Sequence, residues 1–238
     1  VICATALAAC SADFDDALYF RWDDRRVLCS QVIDDRNYLV DMHRLVDRMD
    51  QAVLHHAVYN IYAHVPGLTI DVAMIDRLLA RAERRHLSFV TYRDMLDVSA
   101  PRPGLALSFD DDAVDAWLSI RDVLQSHHAR VTFFVTRYAM MTPEHRAGVK
   151  QLAEDGHDIE AHGVSHLDAP DYVAAHGIDA YLSDEALPSI SVLEADGYPV
   201  STFAYPFGAR SAQTDQALLE HVALVRATAG TCPPPADR

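Results

Sequence analysis

Short apolar runs and amphipathic stretches alternate along the chain. Runs rich in β-branched and aromatic residues cover 17–20, 27–33, 58–65, 87–92, 104–109, 131–136, 157–161, 201–205 and 223–228, and each reads as a strand. Between them apolar residues recur at helical spacing, as in Leu39, Met42, Leu45, Val46, Met49 and Val53. This period predicts helices over 39–56, 70–86, 113–125, 143–154, 178–195 and 212–221. Thr69 is the predicted N-cap of the second, Gly156 stops the fourth, and Pro188 predicts a kink in the fifth. Strands that alternate with helices imply a parallel sheet, open or closed into a barrel. In such folds chemistry gathers at the C-terminal ends of the strands. His64, Asp110 to Asp112, His162 to His166 and Tyr205 to Gly208 all fall at predicted strand ends.

Length and charge narrow the picture. The chain has 238 residues, enough for one large domain, and a formal net charge of −15. That charge opposes binding to nucleic acid or to an anionic membrane surface. None of the four cysteines lies in a C-x-x-C, which argues against a zinc knuckle. Residues 1–10 are apolar and end in Leu7-Ala8-Ala9-Cys10, similar to a truncated secretory signal with a bacterial lipobox. The expectation is an exported protein of the bacterial cell envelope, periplasmic or lipid-anchored at Cys10. No run approaches the ~18 apolar residues of a transmembrane helix.

The run Gly104-Leu105-Ala106-Leu107-Ser108-Phe109 ends in Asp110, Asp111 and Asp112. Three adjacent anions there either cap the following helix or surround a cation. One Asp and two His make a suitable set for a divalent metal that keeps a position open for water. His162 and His166 are four apart and share a face if their segment is helical. With 13 His in the chain such a pair arises by chance, but its place at a strand end beside the acidic one favours ligation.

Ser108-Phe109-Asp110-Asp111-Asp112 resembles the first motif of the polysaccharide deacetylases, the NodB-homology family of carbohydrate esterases. His162-Gly163-Val164-Ser165-His166, led by Gly156-His157-Asp158-Ile159-Glu160, resembles the second, and Phe203-Ala204-Tyr205-Pro206-Phe207-Gly208 the third. The three stand in family order over 104–208. The resemblance implies a single deformed (β/α) barrel over 11–238 that removes acetyl groups from an N-acetylated glycan. It also implies a divalent ion, zinc or else cobalt or another transition metal, on Asp111, His162 and His166. Asp110 would be the general base, the Phe207 N–H would hold the oxyanion, and Tyr205 would meet the substrate.

The sequence departs from the family pattern in three places. Asp112 replaces the usual Gly. Ala204 stands where many members carry an Arg paired with the base. The family's later motifs, including a catalytic His, do not follow residue 228; instead Ile61-Tyr62-Ala63-His64, a helix and the strand 87–92 resemble that C-terminal segment. A circularly permuted domain is therefore expected, with the late-motif segment at about 27–92, His64 as general acid, and Asp34 or Asp35 orienting it. Permutation would set the strand 223–228 beside 27–33 and so pair Cys29 with Cys232. Two other readings stay open: a carbohydrate-binding pseudoenzyme, and a glycosidase using paired carboxylates.

Overall fold

The apolar run that ends in three carboxylates forms the longest strand among the described residues. The computed structural model describes residues 16–233. Its strands are β1 (Tyr19–Phe20), β2 (Val27–Val32), β3 (Val58–Ala63), β4 (Ser88–Phe89), β5 (Gly104–Asp111), β6 (Thr132–Val135), β7 (Asp158–Ala161), β8 (Thr202–Ala204) and β9 (Leu224–Thr228). Seven of them pair in parallel around a ring, β5-β6-β7-β8-β9-β2-β3. The ring closes where β3 pairs with β5, from Val58 opposite Gly104 to Ala63 opposite Phe109. β1 adds antiparallel to β3 and β4 adds parallel to β5.

Side-chain alternation divides the apolar residues into two cores. Leu105, Leu107 and Phe109 point outward and pack with the helices, together with Leu45, Leu78, Trp117 and Leu152. Ala106, Leu28, Val58, Phe134, Ala204 and Leu224 belong to a smaller cluster inside the ring, with Phe20, Trp22 and Tyr92. Tyr62, Asp110, His162 and Arg226 lie further along these strands toward their C-terminal ends and line one cavity.

The helices follow the predicted pattern, with local corrections. The stretch 143–154 is a helix over Pro143–Glu154, capped by Thr142. The second helix is Val72–Glu83, and its N-cap is Asp71, not Thr69. The Thr69 hydroxyl donates to Asp34 Oδ1 at 2.8 Å instead. The stretch 113–125 breaks at Ile120 into Val114–Ser119 and Arg121–Ser126. No side chain caps the first of these, so the three aspartates are not an N-cap. Ala169–His176 is a helix that the pattern missed. The predicted kink near Pro188 is a π-helical turn, Leu182–Ala186, between Ile178–Tyr181 and Leu187–Ala195.

β2 pairs with β9, with Cys29 opposite Ala227. Cys29 and Cys232 form the expected disulfide, with their Cα atoms 5.8 Å apart. The lipobox-like residues Leu7 to Cys10 lie outside the described residues. Among the described residues no helix is long and apolar enough to cross a membrane.

Candidate active site

Asp110 and Asp111 are consecutive, so a regular strand would send their side chains to opposite faces of the sheet. Asp111 escapes this with a left-handed φ of 87°. Both residues thereby line a single cavity of about 210 Å³, with Tyr62, His64, His162, His166, Tyr205, Phe207, Gly208, Arg226 and Thr228. Asp112 does not adopt positive φ, so the turn does not require the usual Gly. Its carboxylate faces outward and meets Arg137 at 3.2 Å.

His162 and His166 are brought together by a loop, not by a helix. Gly163 (φ 84°) and His166 (φ 65°) turn the chain back on itself. A Cβ at Gly163 would collide with the carboxylate of Glu185. That carboxylate, buried on the π-helical turn, accepts the Ser165 N–H at 2.8 Å and the Leu167 N–H at 3.0 Å. Glu185 thus shapes the loop that carries both histidines. In the sequence nothing sets Glu185 apart from Asp184, the acid beside it.

The Asp111, His162 and His166 donor atoms all lie within 4.8 Å of one another. Asp111 Oδ1 is 3.3 Å from His166 Nε2 and 3.7 Å from His162 Nε2. The other ring nitrogen of His162, Nδ1, lies 2.8 Å from the Ala204 carbonyl. A carbonyl only accepts, so Nδ1 carries the proton and the Nε2 lone pair faces Asp111. Burial pushes the His162 pKa down to about 4, which keeps the imidazole neutral. Burial raises the Asp111 pKa, but the His166 hydrogen bond and the neighbouring imidazoles outweigh it and bring it to about 2. One carboxylate and two imidazoles, with the His162 tautomer fixed, fit a zinc-like divalent ion.

Asp110 is buried, and its partner is Arg226 on β9, whose Nη2 lies 2.5 Å from Asp110 Oδ2. Arg226 is the residue that sequence reasoning missed. It stands in register opposite Ala204, where many members of the resembling family carry their arginine. The guanidinium has moved one strand over. It lies 4.9 Å from the Tyr62 ring centroid and 5.0 Å from that of Phe134. The available signal was a single cation in the apolar strand 223–228. Among the described residues Asp110 Oδ1 has no hydrogen-bond partner.

His64 follows β3, which neighbours β5 and lies across the ring from β7 and β8. Its Nδ1 bonds Asp34 Oδ2, while Asp34 Oδ1 accepts the His64 N–H at 3.1 Å. Asp35 instead accepts the Asp71 N–H at 2.8 Å, so Asp34 is the carboxylate that orients His64. Trp117 Nε1 holds the His64 carbonyl at 3.1 Å. Burial lowers the His64 pKa, but the Asp34 hydrogen bond and the charges of Asp110, Asp34 and Asp111 together raise it above the ordinary value.

Phe207 has a φ of 59° and an exposed ring whose centroid lies 4.5 Å from that of His166. Tyr205 belongs to the wall, but its side chain is buried and its hydroxyl donates to Asp215 at 2.9 Å. It therefore meets the cavity as a packed surface, without a free hydroxyl.

No curated protein sequence matches the chain. Solved structures do. IcaB from Ammonifex degensii is 20% identical over 74% of this chain and 86% of its own, with a TM-score of 0.58. The putative polysaccharide deacetylase BA0330 from Bacillus anthracis is 18% identical over 72% and 57%, with a TM-score of 0.60. The BpsB deacetylase domain from Bordetella bronchiseptica is 15% identical over 90% and 97%, with a TM-score of 0.54. These likenesses describe the fold. A family model for polysaccharide deacetylase matches residues 97–223, more than half of the chain, and spans all three motifs. The protein belongs to the polysaccharide deacetylase family, hydrolases acting on carbon–nitrogen bonds.

Proposed function

We propose that this barrel removes N-linked acetyl groups from an N-acetylated glycan. The observation that carries the reading is the convergence, in one cavity, of three groups. These are the Asp111–His162–His166 set, a buried carboxylate with one oxygen unpartnered, and a histidine oriented by its own carboxylate. Asp111, His162 and His166 are the residues that would hold a divalent ion, most simply zinc. When bound, such an ion supplies Lewis-acid polarisation of an acyl carbonyl and makes a water more acidic.

Asp110 Oδ1 is the atom to accept the proton of the attacking water, while Arg226 holds Oδ2 and keeps the carboxylate in place. The water oxygen bonds to the acyl carbon, and the charge that develops on the carbonyl oxygen meets the Phe207 N–H. Breaking the C–N bond needs a proton on the departing amine, and His64 is the group to give it. The Tyr205 wall and the exposed Phe207 ring offer packed surface to a sugar. The ring order, with β2 and β3 between β9 and β5, supports a circular permutation that brings His64 from the front of the chain.

The Cys29–Cys232 disulfide supports export to an oxidising compartment. A lipid anchor at Cys10 remains part of that proposal. The pseudoenzyme reading rested on Ala204 and Asp112. Arg226 supplies the cation that Ala204 lacks, and Asp112 turns to an ion pair outside the cavity. The test is acetate release from a panel of N-acetylated glycans, with chelator and with zinc or cobalt restored. Acetate release that chelator abolishes and zinc restores is the expected result. Absence of release on every glycan, with metal bound, would return the pseudoenzyme reading. Release of reducing ends without acetate would point to a glycosidase.

A further inference from the structure

The loop that presents the Phe207 N–H has an unusual backbone. Phe207 and Gly208 are both left-handed, with φ of 59° and 66°. A side chain at Gly208 would collide with Thr228, so the loop sits directly on the end of β9. Two consecutive left-handed residues, one of them a phenylalanine, are costly and persist only when their surroundings over-determine them. Among the described residues the supports can be named. Gly208 N–H donates to the Tyr205 carbonyl at 2.9 Å. The Gly208 carbonyl accepts from the Thr231 hydroxyl at 2.5 Å. The same hydroxyl oxygen accepts the Thr228 N–H at 3.3 Å, which closes the short turn Ala229–Thr231. Arg210, paired with Asp215, reaches the Thr231 carbonyl at 3.4 Å.

Thr231 is itself half-buried, in a turn of only three residues. The next residue is Cys232, bonded to Cys29 in β2. The bond joins the turn to a strand of the closed ring, 203 residues away in sequence. The links therefore run Cys29, Cys232, Thr231, Gly208, Phe207.

We infer that Thr231, anchored by the Cys29–Cys232 disulfide, is a positioning residue that holds the Phe207 N–H at the cavity. The inference rests on the proposed role of that N–H as the oxyanion donor. It makes the disulfide part of the site's geometry as well as of the fold. Loss of one hydrogen bond to the loop loosens the donor without removing it. The expected fall in kcat is about 5- to 10-fold, well short of the ~10²-fold or more that follows removal of such a donor.

The experiment compares wild type, Thr231→Val, Thr231→Ser and wild type reduced in the folded state. It measures amide hydrogen exchange across residues 205–210 and the kinetics of acetate release. Thr231→Val and reduction should each speed exchange at Phe207 and Gly208 and lower kcat at unchanged KM and metal content. Thr231→Ser, which keeps the hydroxyl, should restore both. Unchanged exchange in Thr231→Val and in reduced protein would overturn the tether, whatever the activity. Faster exchange with wild-type kcat would overturn the positioning role. If wild type releases no acetate from any glycan, the deacetylase reading fails, and the exchange data still decide whether the tether exists.

Discussion

Residues 104–208 and residues 27–64 reach the same cavity by different means. On the first side the functional atoms sit on turns whose backbone is forced into left-handed conformations. Asp111, Gly163, His166, Phe207 and Gly208 all have positive φ. Such conformations are costly for side-chain-bearing residues, and the cost recurs where geometry must be exact to a fraction of an ångström. On the second side His64 has no positive φ, at the end of the regular strand β3. Its geometry comes from side chains: Asp34, with Thr69 on the same carboxylate oxygen. One wall is made of left-handed turns, braced by side chains such as Glu185, and the other of a regular strand end whose His is held by a carboxylate thirty positions away. The family match covers 97–223 and so includes the first wall, whereas Asp34, His64 and Arg226 all lie outside it.

The largest expected effect tests the first wall. Replacing both His162 and His166 by Ala should abolish divalent metal binding and lower the rate by about 10⁴-fold, since polarisation of the carbonyl and acidification of water are lost together. Metal analysis and acetate release measure it. Full metal occupancy in the double variant would remove these histidines from the site.

Next comes the second wall. His64→Ala should lower kcat by about 10²- to 10³-fold at unchanged metal content, the usual worth of a general acid. A near-wild-type rate, or loss of metal along with activity, would show that the two walls do not divide the work as proposed.

Arg226 joins the walls, because it stands on β9 beside β2 and holds Asp110, the proposed base, on β5. Arg226→Met leaves the Asp110 carboxylate buried beside an apolar side chain, which should cost about 3–5 kcal/mol of stability. We expect kcat to fall about 10-fold with it, as the carboxylate loses its fixed orientation. Adding Ala204→Arg to Arg226→Ala moves the cation back across the register pair and should recover part of both losses. Thermal unfolding and kinetics of the two variants measure this. Equal behaviour of Arg226→Met and wild type would refute the pairing.

The same division explains what was readable in the sequence. The alternation of strands and helices gave a parallel sheet, because burial leaves runs and periods that survive in the residues; closure into a barrel came from the family resemblance, since the pairing of β3 with β5 leaves no local mark. Asp111, His162 and His166 were readable because backbone-forced turns leave short, contiguous motifs. The helical spacing of His162 and His166 was misleading: the loop around Gly163, shaped by Glu185, brings them together. Arg226, a single charge in an apolar strand, and Glu185, one of two adjacent acids, were missed because the meaning of each depends on a partner elsewhere in the chain. Asp34 and Asp35 were indistinguishable until the fold turned one toward His64 and the other toward Asp71.

The smallest effect falls on Asp34 and is a change of pH profile. In its proposed role as general acid His64 must be protonated, so its contribution should be present below its pKa in the folded protein and lost as pH rises through it. Burial pulls that pKa down, and the Asp34 hydrogen bond with the charges of Asp110, Asp34 and Asp111 lifts it above the ordinary value. Asp34→Asn keeps an oxygen for the Thr69 hydroxyl and the His64 N–H. It removes one negative charge and sets an NH₂ against His64 Nδ1, where a donor already points. The protonated imidazole loses its acceptor, so the alkaline limb of kcat should move to lower pH while the fold and the metal content stay as they were. At pH below both limbs the variant should keep most of its rate, in contrast to His64→Ala, which loses activity across the whole range. The kcat–pH profiles of the two variants, measured with metal in excess, separate the roles. An alkaline limb that stays in place in Asp34→Asn would mean that His64 is oriented by the backbone of its strand end, and the second wall would then be built like the first.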